Sequence, residues 1–168
     1  MVNPMLKSKR LILRNYTPSD REFFVSLNSN SVVREHMDGA LSEEQAADFF
    51  QNQVLQNSTA FVIALKTDPD TLIGHIFINR EAQTEPFPEL GYMLAQQYWG
   101  QGFATEAVGL LLLNQSSDQK RFFATCDLDH PGSYRVLEKC GFSKIREIHD
   151  DGVPYAVYHY STLKPESD

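Results

Sequence analysis

Two glycines and the helical pattern behind them carry the clearest chemical signal in the sequence. Gly100 and Gly102 lie within Gln97–Ala107, directly before a segment whose apolar residues recur at i, i+3, i+4 and i+7, which predicts a helix starting just after Gly102. Glycine tolerates positive φ and lets the backbone approach a ligand closely. A helix N-terminus adds unpaired N–H groups and a positive dipole end. We therefore expect this loop to bind an anion, most naturally a phosphate.

Other phosphate-binding loops fit the same glycines less well. A P-loop needs Gly-Lys-Ser/Thr, which does not occur in the sequence. A dinucleotide fingerprint needs a third glycine where Thr105 stands, and it opens a first βαβ unit, whereas this loop lies past the middle of the chain. An NAD-binding oxidoreductase is therefore a distant alternative. A plain strand-to-helix turn that binds nothing fits the glycine spacing alone equally well.

The elements that must position this loop alternate between strands and helices. Strands are predicted at residues 6–16, 60–66, 71–80, 89–95, 121–128, 142–149 and 153–162, with turns at 67–70 and 151–152. Four helices are predicted, which begin at Pro18, after Ser42, after Gly102 and at Pro131. The order β-α-α-β-β-β-α-β-α-β-β predicts a mixed sheet flanked by helices, in one domain that covers residues 1–168.

Composition excludes several classes of protein. Fifteen basic and 22 acidic residues give a net charge of −7, which argues against a general nucleic-acid binder. The longest apolar run, residues 107–113, is too short to span a bilayer, and the first residues lack a signal-peptide core. Cys126 and Cys140 lack zinc-site spacing, so no metal is expected. We therefore expect a cytoplasmic protein without a membrane or nucleic-acid partner.

Five segments together resemble one known family. Gln97-x-x-Gly100-x-Gly102 matches the Q/R-x-x-G-x-G/A acyl-CoA loop of the GNAT N-acetyltransferase superfamily. The longer stretches Glu89–Leu94 and Tyr98–Ala107 resemble the branch that acetylates ribosomal-protein N-termini. Three more segments resemble that branch in the same order along the chain: residues 9–14 with Asp20, residues 72–76 and residues 133–142. The resemblance covers nearly the whole chain and is closest to ribosomal-protein-alanine/serine N-acetyltransferases.

The resemblance implies both a fold and a reaction. The GNAT fold is an α/β (α+β) fold with a mixed, mostly antiparallel sheet of about six to seven strands, about four flanking helices and a splay between the fourth and fifth strands. The reaction is direct acetyl transfer from acetyl-CoA to an amine in a ternary complex, without a metal. The acceptor is a protein N-terminal α-amino group, or a small amine such as a polyamine, amino acid or drug. A non-catalytic acyl-CoA-binding regulator is the alternative class, and the protein is expected to be a monomer or homodimer.

The resemblance also implies which residues contact the cofactor. The pyrophosphate would lie on loop N–H groups, and the pantetheine arm would lie between the fourth and fifth strands, where an N–H near Leu94 polarises the thioester carbonyl. Lys139 or Arg135 would meet the 3′-phosphate. His130 stands where the branch usually has Asn. The expected cofactor-binding residues are Met93, Leu94, Gln97, Gly100, Gln101, Gly102, Phe103, Ala104, Thr105, His130, Ser133 and Lys139.

Catalysis needs a group that removes a proton from the amine and one that returns a proton to the thiolate. Glu89 is the first candidate base and His75 the second; a solvated carboxylate and a structural histidine are the ordinary alternatives. Many family members have a Tyr acid where Leu137 stands here, so that acid is absent. Ser133 matches the Ser of the ribosomal-protein branch and is the candidate donor, unless it only bonds its own helix turn.

Three further side chains have ordinary interpretations. Cys126 and Cys140 lie among apolar residues and are expected to be small buried side chains. A covalent acetyl-cysteine intermediate is disfavoured, because no activating histidine adjoins either of them in sequence. Trp99 either packs under the glycine loop or lines the amine site.

Overall fold

A mixed eight-stranded sheet is the framework of the computed structural model, which describes residues 5–163. The strands are β1 (Leu6–Lys7), β2 (Leu11–Asn15), β3 (Ala60–Leu65), β4 (Asp68–Asn79), β5 (Glu89–Leu94), β6 (Arg121–Asp127), β7 (Ser143–Ile148) and β8 (Tyr155–Ser161). The helices are α1 (Arg21–Asn28), α2 (Glu43–Phe49), α3 (Phe103–Leu113) and α4 (Pro131–Lys139). In space the strand order is β1-β2-β3-β4-β5-β6-β8-β7.

The predicted α/β fold class and element order are confirmed, and two details of the prediction are wrong. The sheet has eight strands instead of six to seven, because the strand predicted over residues 6–16 is a hairpin in which Ser8 N–H donates to the Leu11 carbonyl at 3.0 Å. Residues 68–70 belong to β4, since the turn before it is confined to residues 66–67. The predicted start of the first helix at Pro18 is confirmed, and its first turn, over Pro18–Asp20, is a 3-10 turn that leads into α1.

The predicted splay lies between β5 and β6. Every other pair of neighbouring strands is antiparallel, whereas β5 and β6 are parallel and share the single register pair Glu89–Phe123 among the described residues. Beyond that pair the two strands diverge. A gap therefore opens in the middle of the sheet, at the carboxyl end of β5.

Side chains on the two faces of the sheet form separate cores. The larger core contains Leu90 and Leu94 of β5 together with α3 and α4, where Leu111 and Leu137 are buried. On the other face, Met93 packs in a smaller cluster beside α1. Because alternate residues of a strand point to opposite faces, β5 contributes to both cores and borders the gap with both.

Local hydrogen bonds and glycines set the helix ends that the sequence predicts. Gln45 N–H donates to Ser42 Oγ at 3.0 Å, and Ser42 N–H donates to Gln45 Oε1 at 2.9 Å, which completes the predicted capping box of α2. Gly141 follows α4 with φ +93°, a left-handed conformation typical of a helix stop. None of the helices within residues 5–163 has the length and apolarity that crossing a membrane requires.

Candidate functional site

The glycine loop lies where the sequence predicts it, between the end of β5 and the first turn of α3. Gly100 (φ +73°) and Gly102 (φ +80°) both adopt left-handed backbone, which residues with a β-carbon rarely adopt. Gly102 is the N-cap of α3. Trp99 Nε1 donates to the Leu94 carbonyl at 2.9 Å and thereby ties the loop to β5. The loop and the α3 N-terminus therefore have the geometry of an anion site.

The β1–β2 turn supports this loop through a carboxylate in the first turn of α3. Glu106 accepts hydrogen bonds from Ser8 Oγ, Arg10 N and Arg10 Nε, each at 2.7 Å. Burial raises the pKa of Glu106, but these hydrogen bonds outweigh it and lower the pKa overall. Arg10 Nη1 also donates to the Gln101 carbonyl at 3.0 Å, and its guanidinium lies 4.2 Å from the Phe103 ring centroid. The loop's shape therefore depends on contacts from the start of the chain.

Backbone groups of β5 point into the splay. Ala95 N–H donates to the Ile73 carbonyl at 2.9 Å, in the direction of β4. Because N–H directions alternate along a strand, the N–H groups of Tyr92 and Leu94 point the opposite way, into the gap beside β6. The Leu94 carbonyl oxygen already accepts a hydrogen bond from Trp99 Nε1. The direction agrees with the expectation of a donor near Leu94, and its contact with a thioester stays a prediction.

On the α3–α4 face, Tyr92 and Ser133 meet across the splay. Tyr92 Oη lies 3.0 Å from Ser133 Oγ and 3.2 Å from the Ser133 carbonyl oxygen. Burial raises the pKa of Tyr92 well above its ordinary value, so its phenol keeps its proton at neutral pH. Burial likewise raises the pKa of the Cys126 thiol. Leu137, at the position of the missing tyrosine acid, is 1% exposed and belongs to the core.

On the opposite face, the α1–α2 connection covers the open end of the splay. The Arg34 guanidinium shapes this connection by donating to Asn28 Oδ1 and to the carbonyls of Met37 and Gly39, each at 2.8 Å. Met37 packs against the small cluster that contains Met93. A segment far from β5 in sequence therefore borders the same stretch of the strand as the glycine loop.

The same connection also reaches β6 through a histidine. His36 Nδ1 lies 3.1 Å from Asp127 Oδ2 and 3.5 Å from Asp129 Oδ1. The His36 ring stacks on the His130 ring at a centroid distance of 4.2 Å. Burial, followed by the nearby His36 charge, lowers the pKa of His130. His130 is the N-cap residue of α4 but makes no side-chain cap bond, so its ring is held by the stack.

The two candidate bases lie in different surroundings. His75 is 5% exposed, its Nδ1 lies 2.7 Å from Tyr16 Oη, and burial lowers its pKa to about 4. These contacts favour the interpretation of His75 as a structural core histidine. Glu89 is half-buried at the closed end of the splay, opposite Phe123, and burial raises its pKa. It lies four residues before Met93, a separation of about 13 Å along a strand.

Comparison with known proteins decides the family. A model of the acetyltransferase (GNAT) domain matches residues 10–143. The chain belongs to the GNAT acetyltransferase family. Its resemblance to that family, predicted from the glycine loop and its flanking segments, is confirmed, and the protein is an acetyl-CoA-dependent N-acetyltransferase.

Relatives of this GNAT protein cover most of its length. The uncharacterized N-acetyltransferase YoaA of Bacillus subtilis is 31% identical over 173 positions, which span 96% of this chain and 98% of that protein. The ribosomal-protein-serine acetyltransferase of Escherichia coli is 31% identical over 104 positions, 60% of this chain and 58% of that protein. The structure of RimL, a ribosomal L7/L12 α-N-protein acetyltransferase in complex with coenzyme A, superimposes with a TM-score of 0.77 at 19% identity, over 94% of this chain and 98% of that one.

One groove of about 2010 Å³ connects the two faces of this GNAT domain through the splay. The carboxylates that line it are Glu35, Asp38, Glu81, Glu89, Asp127 and Asp151. The basic side chains that line it are Arg34, Arg80, Arg135 and Lys139. Arg34 donates to backbone carbonyls and Asn28, and Arg80 donates to Gln119 Oε1. Arg135 and Lys139 of α4 therefore remain available for an anionic ligand, and the carboxylates for a cationic one.

The groove brings together most residues that the sequence singles out. Those that line it are Glu89, Met93, Leu94, Gly100, Gly102, Phe103, Ala104, Thr105, His130, Ser133 and Lys139. Gln97 and Gln101 do not line it, and Gln101 Nε2 donates to the Gln97 carbonyl at 3.0 Å instead. Sequence reasoning missed Tyr92 and the pair His36–Asp127. The alternation of side chains along β5 could have predicted that Tyr92 points toward α4. No local pattern could have predicted the contact between His36 and Asp127, which are 91 positions apart.

Proposed function

We propose that this GNAT enzyme acetylates the α-amino group of a protein N-terminus, by direct attack on acetyl-CoA in a ternary complex. The splay between β5 and β6 carries the proposal, because it joins the glycine loop and α4 on one face to carboxylate-lined segments on the other. Two substrates that enter from opposite faces can meet there without a covalent enzyme intermediate. An α-amino group has an ordinary pKa of about 7.7–8.0, so it loses its proton more readily than a lysine at about 10.4.

The proposed cofactor position follows the loop and the splay. The phosphates lie on backbone N–H groups between Gly100 and Thr105, at the α3 N-terminus. Space above the loop supports this position, because a β-carbon built on Gly100 would meet no atom within 4 Å. The pantetheine arm follows Met93 and Leu94, and Lys139 meets the 3′-phosphate.

The RimL structure supports a position for the thiol end of CoA in the groove of this chain. That structure contains a disulfide between CoA and a cysteine of that protein. In this chain, Cys126 lines the groove three residues beyond Phe123, at the level of Tyr92 on the parallel strand. We therefore place the CoA sulfur between Tyr92, Cys126 and Ser133.

The proposed chemistry assigns a role to each polar group at this level. Acetyl-CoA, when bound, supplies the thioester carbonyl carbon that the amine attacks. The Tyr92 or Leu94 N–H donates to the carbonyl oxygen and stabilises its developing negative charge. Ser133, hydrogen-bonded to the Tyr92 phenol, returns a proton to the thiolate sulfur. Glu89 is the proposed carboxylate base, and its distance from this level requires that it acts through water.

A small polyamine is the second candidate acceptor. Six carboxylates line the groove, and a chain of several ammonium groups would pair with more of them than a single N-terminus does. The same carboxylates would also favour a basic N-terminal peptide. Cytoplasmic location, a single domain over residues 1–168 and a monomeric or dimeric state stay predictions.

The test is a direct assay of the full-length protein. Acetyl-CoA is titrated by calorimetry with NAD as control, and thiol release is then followed with a free N-terminal peptide, the same peptide with a blocked α-amine and one lysine, and spermidine. Release with the free N-terminus alone supports the proposal. Release with spermidine alone supports the second candidate. Acetyl-CoA binding without release from any acceptor favours an acyl-CoA-binding regulator and contradicts both.

A further inference from the structure

His36 and Asp127 form a histidine–carboxylate pair that lies outside the roles assigned so far. His36 Nδ1–H donates to Asp127 Oδ2 at 3.1 Å, across 91 positions of sequence. Their side chains are 22% and 20% exposed, and both line the groove. The parallel stack of the His36 and His130 rings, with an interplanar angle of 12°, fixes the plane of the imidazole. The His36 ring therefore has a defined orientation at the groove wall.

The register of the splay places this pair beside the reacting groups. Because β5 and β6 run parallel from the pair Glu89–Phe123, Asp127 lies at the level of Met93. Met93 points to the α1–α2 face, which is the face that the proposed function assigns to the acceptor. The two N–H groups that point into the splay belong to the residues on either side of Met93. His36 is thus held on the acceptor side, at the level proposed for the thioester.

We propose that His36 is the immediate proton acceptor for the attacking amine, with Asp127 as the residue that positions its ring. The proposal rests on the proposed acetyl transfer and adds a residue to it. When Nδ1–H donates to Asp127, Nε2 carries the lone pair that takes the ammonium proton. The freed amine lone pair forms the C–N bond, the C–S bond breaks, and the thiolate takes a proton from Ser133. The nitrogen then loses its second proton, which restores the Ser133 hydroxyl through water, and His36 releases the first proton to solvent.

The charges around His36 suit this role. From the β6–α4 connection it is faced by Asp127, Asp129 and the ring of His130. On its own segment, Glu35 is its sequence neighbour, and Arg34 directs its donors to Asn28 and to two backbone carbonyls. Both aspartates face Nδ1, at 3.1 and 3.5 Å, so the nitrogen that the proposal makes the donor has carboxylate acceptors and Nε2 is the nitrogen left for the amine.

The other candidate bases lie farther from that level or are less able to take a proton. Glu89 is about 13 Å toward the closed end of the splay, so it reaches the amine only through water. His75 is buried against Tyr16 and its pKa is lowered to about 4. Among the candidate bases, His36 is therefore the one held at that level, and Glu89 can receive the proton later.

The test compares His36→Gln and Asp127→Asn with Glu89→Gln and with a matched control, His149→Gln. His149 also pairs with a carboxylate, Glu147 Oε2 at 3.0 Å, but it is outside the groove lining. Acetyl-CoA affinity, measured by calorimetry, verifies that each variant is folded. Peptide acetylation is measured from pH 6 to 9.5, with hydroxylamine as a second acceptor because its nitrogen is unprotonated at neutral pH. The kinetic assays contain EDTA, so that adventitious metal ions do not alter the measured pH profile.

We expect His36→Gln to lower kcat/KM for the peptide about 100-fold at pH 7, within the range for a general base. The deficit should shrink to about threefold at pH 9.5, where the α-amine is already neutral. Asp127→Asn should show a smaller deficit of the same shape, while hydroxylamine acetylation and His149→Gln stay near wild type. An unchanged His36→Gln pH profile, an equal loss with hydroxylamine, or a deficit confined to Glu89→Gln would each overturn the proposal. Wild-type protein that binds acetyl-CoA but acetylates neither acceptor would instead reject the acetyl transfer itself.

Discussion

At the scale of single residues, burial decides the protonation state of the side chains in the splay. It keeps the Tyr92 phenol protonated, keeps the Cys126 thiol protonated and disfavours the charged form of His75. Tyr92 therefore keeps a proton that it shares with Ser133 in a hydrogen bond. Neither cysteine, with its raised pKa, nor His75, with its lowered pKa, is suited to act as a nucleophile or base. This division supports direct transfer over a covalent acetyl-cysteine intermediate.

Ser133→Ala tests the proton donor. We expect kcat to fall at least about tenfold, near the low end for a general acid, because the thiolate then leaves without a proton. Acetyl-CoA affinity should change less than about threefold, the free energy of one modest hydrogen bond. Steady-state kinetics and calorimetry measure the two quantities.

One related variant and one control variant help to interpret that result. Tyr92→Phe removes the hydroxyl that lies 3.0 Å from Ser133 Oγ and should reproduce part of the kcat loss. Ser143→Ala, on the exposed strand β7, should change nothing. If Ser133→Ala has wild-type kcat while chemistry is rate-limiting, Ser133 only bonds its surroundings.

At the scale of elements, a turn between β1 and β2 determines the shape of a loop that follows β5. Arg10 bonds both the Gln101 carbonyl and Glu106, and a β-carbon on Gly102 would lie 3.4 Å from the Arg10 guanidinium. The loop is therefore confined on one side by a cation and open on the other. Substitution of its glycines should affect ligand binding before it affects the fold.

Gly102→Glu tests the loop as the phosphate site. The residue has φ +80°, so a side chain there adds strain of about 1 kcal/mol, and its carboxylate would lie near the pyrophosphate. We expect acetyl-CoA affinity to fall at least about tenfold by calorimetry. Gly109→Glu places the same charge in the same helix, where a β-carbon meets no atom within 4 Å. Equal affinity of the Gly102 variant and wild type would refute the loop assignment.

Asp20→Asn tests the junction between β2 and α1, which positions the acceptor face. Asp20 is 3% exposed and accepts both Arg14 Nη atoms at 2.7 and 2.9 Å. Burial raises the pKa of Asp20, but the bonds from Arg14 and Thr17 outweigh it, so the pKa is below the ordinary 3.8. We expect the free energy of unfolding to fall by about 3 kcal/mol in urea titrations at pH 7.

The sign of that pKa shift sets the pH dependence of this difference. The unfolded carboxyl binds a proton at higher pH than the folded one, so the contribution is complete above the ordinary pKa of 3.8. It disappears as the pH falls through the lower folded pKa. Wild type and variant should therefore converge below about pH 3.8. Asp48→Asn, at an exposed position of α2, should change stability by less than about 0.5 kcal/mol.

At the scale of the whole molecule, charge is divided between the ends of the groove. The net charge of the protein is −7, yet α4 presents Arg135 and Lys139 to the groove. The carboxylates that line the rest of the groove come from the α1–α2 connection, the β4–β5 connection, β5, β6 and the β7–β8 hairpin. This division supports an anionic cofactor on one face and a cationic acceptor on the other.

Salt dependence tests this division. Raising ionic strength from about 0.1 M to 1 M shortens the screening length from about 10 Å to 3 Å. We expect KM for a basic peptide or for spermidine to rise several-fold over that range, while KM for a peptide with an uncharged sequence behind its α-amine changes less. Equal salt dependence for both peptides would contradict an electrostatic role for the groove carboxylates.

Features that depend on neighbouring residues were predictable from the sequence. The Ser42 capping box, the start of α3 after Gly102 and the end of α4 at Gly141 each need only a few consecutive residues, because their hydrogen bonds and φ angles are local. The splay and the family were predicted from segments that resemble the GNAT superfamily and follow one another in the order typical of it. The β1–β2 hairpin was missed because its alternating apolar pattern also fits one longer strand.

The tertiary structure alone decided which distant side chains share the splay. His36 and Asp127, or Arg10 and Gln101, are each 91 positions apart, and no periodicity relates them. Their contacts arise because the parallel strands β5 and β6 separate beyond their one register pair. The α1–α2 connection and the β1–β2 turn then pack beside the resulting gap and the glycine loop. By itself, the sequence determined the glycine loop and the helix that follows it, because both depend on consecutive residues. The packing of remote segments decided which side chains line the groove around that loop.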